Sequence, residues 1–225
     1  MFYIIPTKNG LGVEFWGTPD DLRNIYSVIG NLWNKDDYLY KQGFESRDKV
    51  ISGFSYELRK AFEKNRLKRE YSHFSLEPIE YMGFKIYWVH ALFTFSALRY
   101  NMKYFETNKF DLSIFLQIEF WLEKAMNQFD SKGAANLKPY ISDSIYSANE
   151  YIYLFMRRIN IEYLQMGGGK KAFRELPVLM KKAVFYNREY DEYSKQLKED
   201  ADLLGCKISE LEINDEHMDY ENLKW

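Results

Sequence analysis

Three histidines, one cysteine and a run of three glycines offer most of the chemistry in this chain, and their spacing is the first test of function. His73, His90 and His217 never stand four residues apart, so no HExxH helix forms, and the chain lacks the two Glu-x-x-His motifs that a ferritin-like di-iron site needs. Cys206 by itself builds neither a zinc cage nor an intramolecular disulfide. Glu119 and Glu123 lie one helical turn apart and suit a carboxylate Mg²⁺ site, yet such pairs more often sit on a solvated helix face. No metal and no cofactor is expected.

Nucleophile signals are equally thin. Gly53-Phe54-Ser55-Tyr56-Glu57 lacks the second glycine of a nucleophile elbow and falls inside a helical pattern. Cys206 has nothing near it in sequence to lower its pKa, so it reads as an inert thiol. Gly167-Gly168-Gly169-Lys170-Lys171 offers backbone N–H groups and two lysines to an anion, which makes Lys170 and Lys171 binding candidates. The run follows a helix rather than a strand and misses the phosphate-loop spacing, so a helix stop with solvated lysines is expected.

His90 is the sharpest single residue. With a carboxylate beside it a histidine acts as general base, and Glu14 and Glu119 are the carboxylates that would serve. Inside an apolar helix, however, the expected state is a neutral core imidazole with one satisfied hydrogen bond. No catalytic residue is assigned, and the reading leans away from an enzyme.

The element that must position His90 is Ile86 to Leu98, IYWVHALFTFSAL, the most apolar stretch of the chain. Its apolar residues fall on every side of a helical projection, which predicts burial nearly all round. Bounded by Lys85 and Arg99, it is shorter than the ~18 residues of a membrane span. Upstream, Phe2–Ile5 and Leu11–Trp16 flank Asn9-Gly10 as a β-hairpin. Thr18, Pro19 and the aspartates after it open a helix to about Asn34. A loop or short strand is expected over 36–44, a second helix from about Arg47 to Arg69, and one or two further strands between Tyr71 and Tyr87.

Downstream, the central helix runs from Trp88 to about Phe105. Asp111 or Ser113 caps a further helix to Phe129, followed by a turn at Ser131-Lys132-Gly133. Pro139 opens a long helix through Met166, and Pro177 opens the last, which Gly205 ends. Ile208–Ile213 is ambiguous between strand and helical turn. The expected fold is α+β, predominantly α: a hairpin extended to a small antiparallel sheet (1–17 and about 71–88), packed on five to six helices. A single domain, 1–225, closes with an acidic tail over 214–225 that is mobile or loosely docked.

Composition narrows the partners. A net charge of −2 supplies no field toward nucleic acid or anionic lipid. Between Arg188 and Glu221, twelve acidic residues face four basic ones, a segment suited to a basic partner. Arg157, Arg158, Lys170, Lys171, Arg174, Lys181 and Lys182 form a basic region beside Tyr151, Tyr153 and Phe173, and Ala201–Leu211 has a helix-turn-helix flavour. The acidic surround opposes both, so nucleic acid is not the expected ligand.

Across Pro6 to Ile29, PTKNGLGVEFWGTPDDLRNIYSVI, a hairpin carrying Gly12, Glu14, Trp16 and Gly17 leads into an Asp-Leu helix. This stretch resembles the start of a bacterial family that carries only a domain-of-unknown-function label. The resemblance implies a bacterial cytoplasmic protein and transfers no functional residue. A lone cysteine and the lack of a signal peptide before the first strand agree with the cytoplasm.

An aromatic content of 18% with no catalytic constellation points to a protein-binding protein, of toxin-immunity or accessory type, with Trp16 and Trp225 expected near solvent at its interface. The alternatives are an enzyme or small-ligand protein with a pocket between sheet and helices, and a nucleic-acid binder using the basic patch. Partner and oligomeric state are not encoded in any motif.

Overall fold

A computed structural model of the chain describes residues 1–35, 41–71, 78–142 and 144–225. His73 and residues 36–40 of the expected loop or strand lie outside them. The hairpin forms where Asn9-Gly10 placed it: β1 (Tyr3–Pro6) pairs antiparallel with β2 (Gly12–Gly17), Ile5 opposite Glu14. Helix α1 (Pro19–Gly30) starts from a capping box in which Thr18 accepts from the Asp21 N–H and Asp21 accepts from the Thr18 N–H. It stops at Gly30, short of the expected Asn34.

Helix α2 (Phe44–Phe62) ends well before Arg69, because Lys64 adopts a left-handed φ of 66° that no helix continues. The charged residues after it, Leu67–Tyr71, are instead strand β3. β4 (Ile79–Tyr87) pairs with β2 on one side and β3 on the other, giving an antiparallel sheet of order β1-β2-β4-β3.

The apolar stretch becomes helix α3 (Trp88–Asn101), which follows β4 directly. From Trp88 to Leu98 every residue except His90 is buried. Where α3 meets the sheet and α2, four phenylalanines fill the space. Phe15 stacks on Phe84 at 5.1 Å between ring centres, and Phe54 meets Phe95 edge-on at 5.2 Å.

The later helices differ more from expectation. α4 (Lys109–Phe129) is capped by Asn108, with Asp111 as its reciprocal partner rather than the cap. The expected turn after it is helix α5 (Ser131–Leu137), because the Asp130 carboxylate accepts the Gly133 N–H at 2.8 Å and starts a new helix. Pro139 opens only a 3₁₀ turn. The loop that follows is tied down by Arg47 Nη1 donating to the Ser147 carbonyl at 2.9 Å, and α6 covers Ile152–Gln165 alone.

Pro177 lies inside α7 (Gly169–Met180) rather than at the start of the last helix, α8 (Arg188–Leu204), which Asn187 caps. The ambiguous 208–213 stretch holds a 3₁₀ turn, so the second helix of a helix-turn-helix does not form there. The acidic tail is docked: Arg157 pairs with Asp215, Tyr220 donates to the same carboxylate at 2.5 Å, and Asn9 donates to the Lys224 carbonyl at 3.1 Å. The fold is α+β and mostly α. Among the described residues no helix is long and apolar enough to cross a membrane.

Candidate functional site

β3 begins at Leu67, opposite Gly83, so residues 84–87 of β4 are paired on the β2 side only. On the other side, between this strand edge and α2, lies a cleft of about 910 Å³. That volume falls within the usual range for small-molecule sites. α2 supplies Ser52, Tyr56 and Arg59, three residues that helical spacing puts on one side. β4 supplies Lys85 and Tyr87 beside the apolar Phe84 and Ile86, α3 supplies His90, and the docked tail supplies Trp225.

His90 reaches the cleft because Gly53 has no side chain. A Cβ there would lie 2.8 Å from the imidazole Cε1. Nε2 sits 3.1 Å from the Val50 carbonyl, an atom that only accepts, so Nε2 carries the proton and Nδ1 keeps its lone pair. Burial pushes the His90 pKa below its ordinary value, which holds the ring neutral at pH 7. The ring makes its hydrogen bond to Val50 and lines a cleft instead of being enclosed by apolar side chains.

Charge in the cleft is unbalanced. Among the described residues Glu57 is the one acidic side chain that lines it, and Arg66 grips it with two bonds of 2.6 and 2.9 Å that raise the arginine's pKa. Arg59 approaches Glu63 only at 4.0 Å, and among the described residues Lys85 makes no salt bridge. Lys85 Nζ instead lies 5.5 Å from the Trp225 ring, which stacks on Tyr87 at 4.5 Å and 11°. Burial raises the Tyr87 pKa, keeping that phenol a hydrogen-bond donor.

The candidates read from sequence are scattered differently. His90 and Trp225, chosen for unrelated reasons, line the same cleft. Glu14 does not join them: it accepts from Trp16 Nε1 at 3.0 Å and lies 3.9 Å from Arg69. Glu119 pairs with Arg99 on α3, and Glu123 with Lys138 at 2.7 Å. Trp16, expected near solvent, is buried. Gly83 opposite it leaves room for the indole, and the Arg69 guanidinium covers the ring at 4.2 Å.

Lys170 and Lys171 are exposed on the first turn of α7. The glycines before them dock on the hairpin, where Gly169 N–H donates to the Asn9 carbonyl at 2.6 Å. In the basic region Arg157, Arg158, Arg174 and Lys182 are each engaged by a carboxylate of the chain itself. Sequence reading missed Tyr56, Arg59, Arg66 and Lys85. The i, i+4, i+7 spacing of Ser52, Tyr56 and Arg59 was a legible signal, whereas Arg66 arrives only because α2 ends early.

A family described as Domain of unknown function (DUF6904) matches residues 2–225, extending the resemblance seen over Pro6–Ile29 to nearly the whole chain. No curated protein and no solved structure matches.

Proposed function

The chain belongs to the DUF6904 family, whose description assigns no activity, and we propose from its own cleft that it binds a small anionic ligand bearing a planar ring. One observation carries this reading: among the described residues three cationic side chains, Arg59, Arg66 and Lys85, line the cleft against one acidic side chain, Glu57, beside the stacked rings of Tyr87 and Trp225. An anion is drawn to the two cations that Glu57 does not hold, and an aromatic face extends the existing stack. His90 Nδ1 and the open edge of β4 supply acceptors and donors that orient the ligand.

A titration with 8-anilinonaphthalene-1-sulfonate, a planar aromatic anion whose fluorescence rises on binding, tests the reading. One saturable site is expected, weakened about tenfold or more by Arg59→Glu combined with Lys85→Glu, and unchanged by Arg23→Glu on α1. Absence of saturable binding, or indifference to the cleft reversals, contradicts it.

Binding of a protein partner is a second reading, favoured by a separate observation: α4 carries Leu112, Leu116 and Phe120 exposed on one stripe. Both readings place the protein in the bacterial cytoplasm, in keeping with a chain that has one cysteine. An immunity or accessory role belongs to the second reading and rests on the acidic 188–221 segment as the complement of a basic partner.

A further inference from the structure

Helix α4 packs on β1 and α5 and buries Ile114, Ile118, Leu122 and Ala125 on one face. Its opposite face is apolar as well. Leu112, Leu116 and Phe120, spaced by four residues, are 42%, 61% and 59% exposed. Solvated helix faces are ordinarily polar, so a continuous apolar stripe of this kind marks a contact surface.

The charges at the two ends of the stripe select its occupant. Lys109 and Glu123 each lie seven residues, two turns, from Leu116 and therefore share its face. About a two-fold axis through Leu116, an antiparallel copy brings Leu116 onto Leu116, Leu112 onto Phe120, and Lys109 onto Glu123 at both ends. A parallel copy would set lysine against lysine and glutamate against glutamate. Among the described residues Lys109 makes no salt bridge, and Lys138 holds Glu123 through Oε1. The face is thus complementary to itself in one orientation only.

We propose that α4 is a self-association face through which two copies of this chain form an antiparallel, two-fold dimer. This deepens the protein-partner reading by naming the partner, and it is independent of the cleft. A contact made chiefly by one helix per copy sits at the small end of interface size, so micromolar dissociation is expected.

Sedimentation velocity on the full chain from 1 to about 300 µM tests it. The 27.1 kDa mass should double with concentration. Leu116→Asp should abolish the doubling while far-UV circular dichroism stays unchanged. Lys109→Glu and Glu123→Lys should each weaken association about tenfold or more, and the double reversal should restore it, since the ends again meet with opposite sign. Should Leu116→Asp fail to fold, the charge variants carry the test alone. A monomer at every concentration, or a dimer indifferent to all these changes, overturns the proposal. A monomer that captures a different protein in a Leu116-dependent manner also overturns it, while leaving the general protein-partner reading intact.

Discussion

His90 stands where a side chain at Gly53 would need to be: a Cβ built there lies 2.8 Å from Cε1 and 3.1 Å from Nε2. Helix α2 therefore carries a residue that weakens helices by ~1 kcal/mol relative to alanine, and the space gained holds an imidazole at the edge of the cleft. Gly53→Ala should trade that helix gain against a displaced ring and a lost bond to Val50, each of similar size, leaving stability within about 1 kcal/mol of the parent. In a His90→Ala background the same change should stabilise by up to ~1 kcal/mol, because the ring is gone. A double-mutant cycle in urea melts reads the difference; additive effects would show that the two positions are not coupled.

Phe93 is fully buried at the centre of α3, and Phe93→Ala should cost about 3–5 kcal/mol. A loss below 1 kcal/mol in denaturant unfolding would mean that α3 is not the packing hub.

Asp48 follows Arg47 in α2, and burial pushes its carboxyl up to about 6, against the opposing effects of the Asn34 backbone and Arg47. Among the described residues its buried Oδ1 has no hydrogen-bond partner. A folded pKa above the unfolded one means that the folded state prefers the proton, so this contribution is present below about pH 4 and lost as pH rises through 6. Asp48→Asn should accordingly stabilise the protein at pH 7–8 by about 1 kcal/mol, after discounting for solvent reach, and by nothing at pH 4. Melts across that range would expose the error if the variant were less stable at pH 8.

Asp130 titrates in the opposite sense. Arg174 donates to it at 2.7 and 2.9 Å and Gly133 N–H at 2.8 Å, holding the carboxyl well below the usual range. Its contribution is present above the unfolded pKa near 4 and lost as pH falls toward the depressed folded value. Asp130→Asn should lower Tm at pH 7, with the gap to the parent closing as pH drops below 4. A gap that widens in acid would contradict the assignment.

Local chemistry explains which parts of this fold were legible. Asn9-Gly10, the Thr18–Asp21 cap and the all-round apolar Ile86–Leu98 each act over a few residues, and the hairpin, α1 and α3 stand close to where those signals put them. The misreadings came from distant partners. Leu67–Tyr71 has helix-compatible charges, but β4 offers it an edge and Lys64 turns the chain toward it. Trp16 is covered by Arg69 and by the gap at Gly83, neither adjacent in sequence. The cleft shows the same division: the α2 stripe is periodic and readable, whereas Arg66 and Trp225 reach it through tertiary pairing.

Mapping the ligand site tests the central claim most directly. In ¹H–¹⁵N spectra of the labelled protein titrated with 8-anilinonaphthalene-1-sulfonate, including imidazole and indole nitrogens, saturable shifts should concentrate at Lys85, Tyr87, His90 and the Trp225 indole. His90 should keep its Nε2–H form throughout. Shifts that cluster on another surface, or none at saturating probe, would contradict a ligand site between α2 and β4.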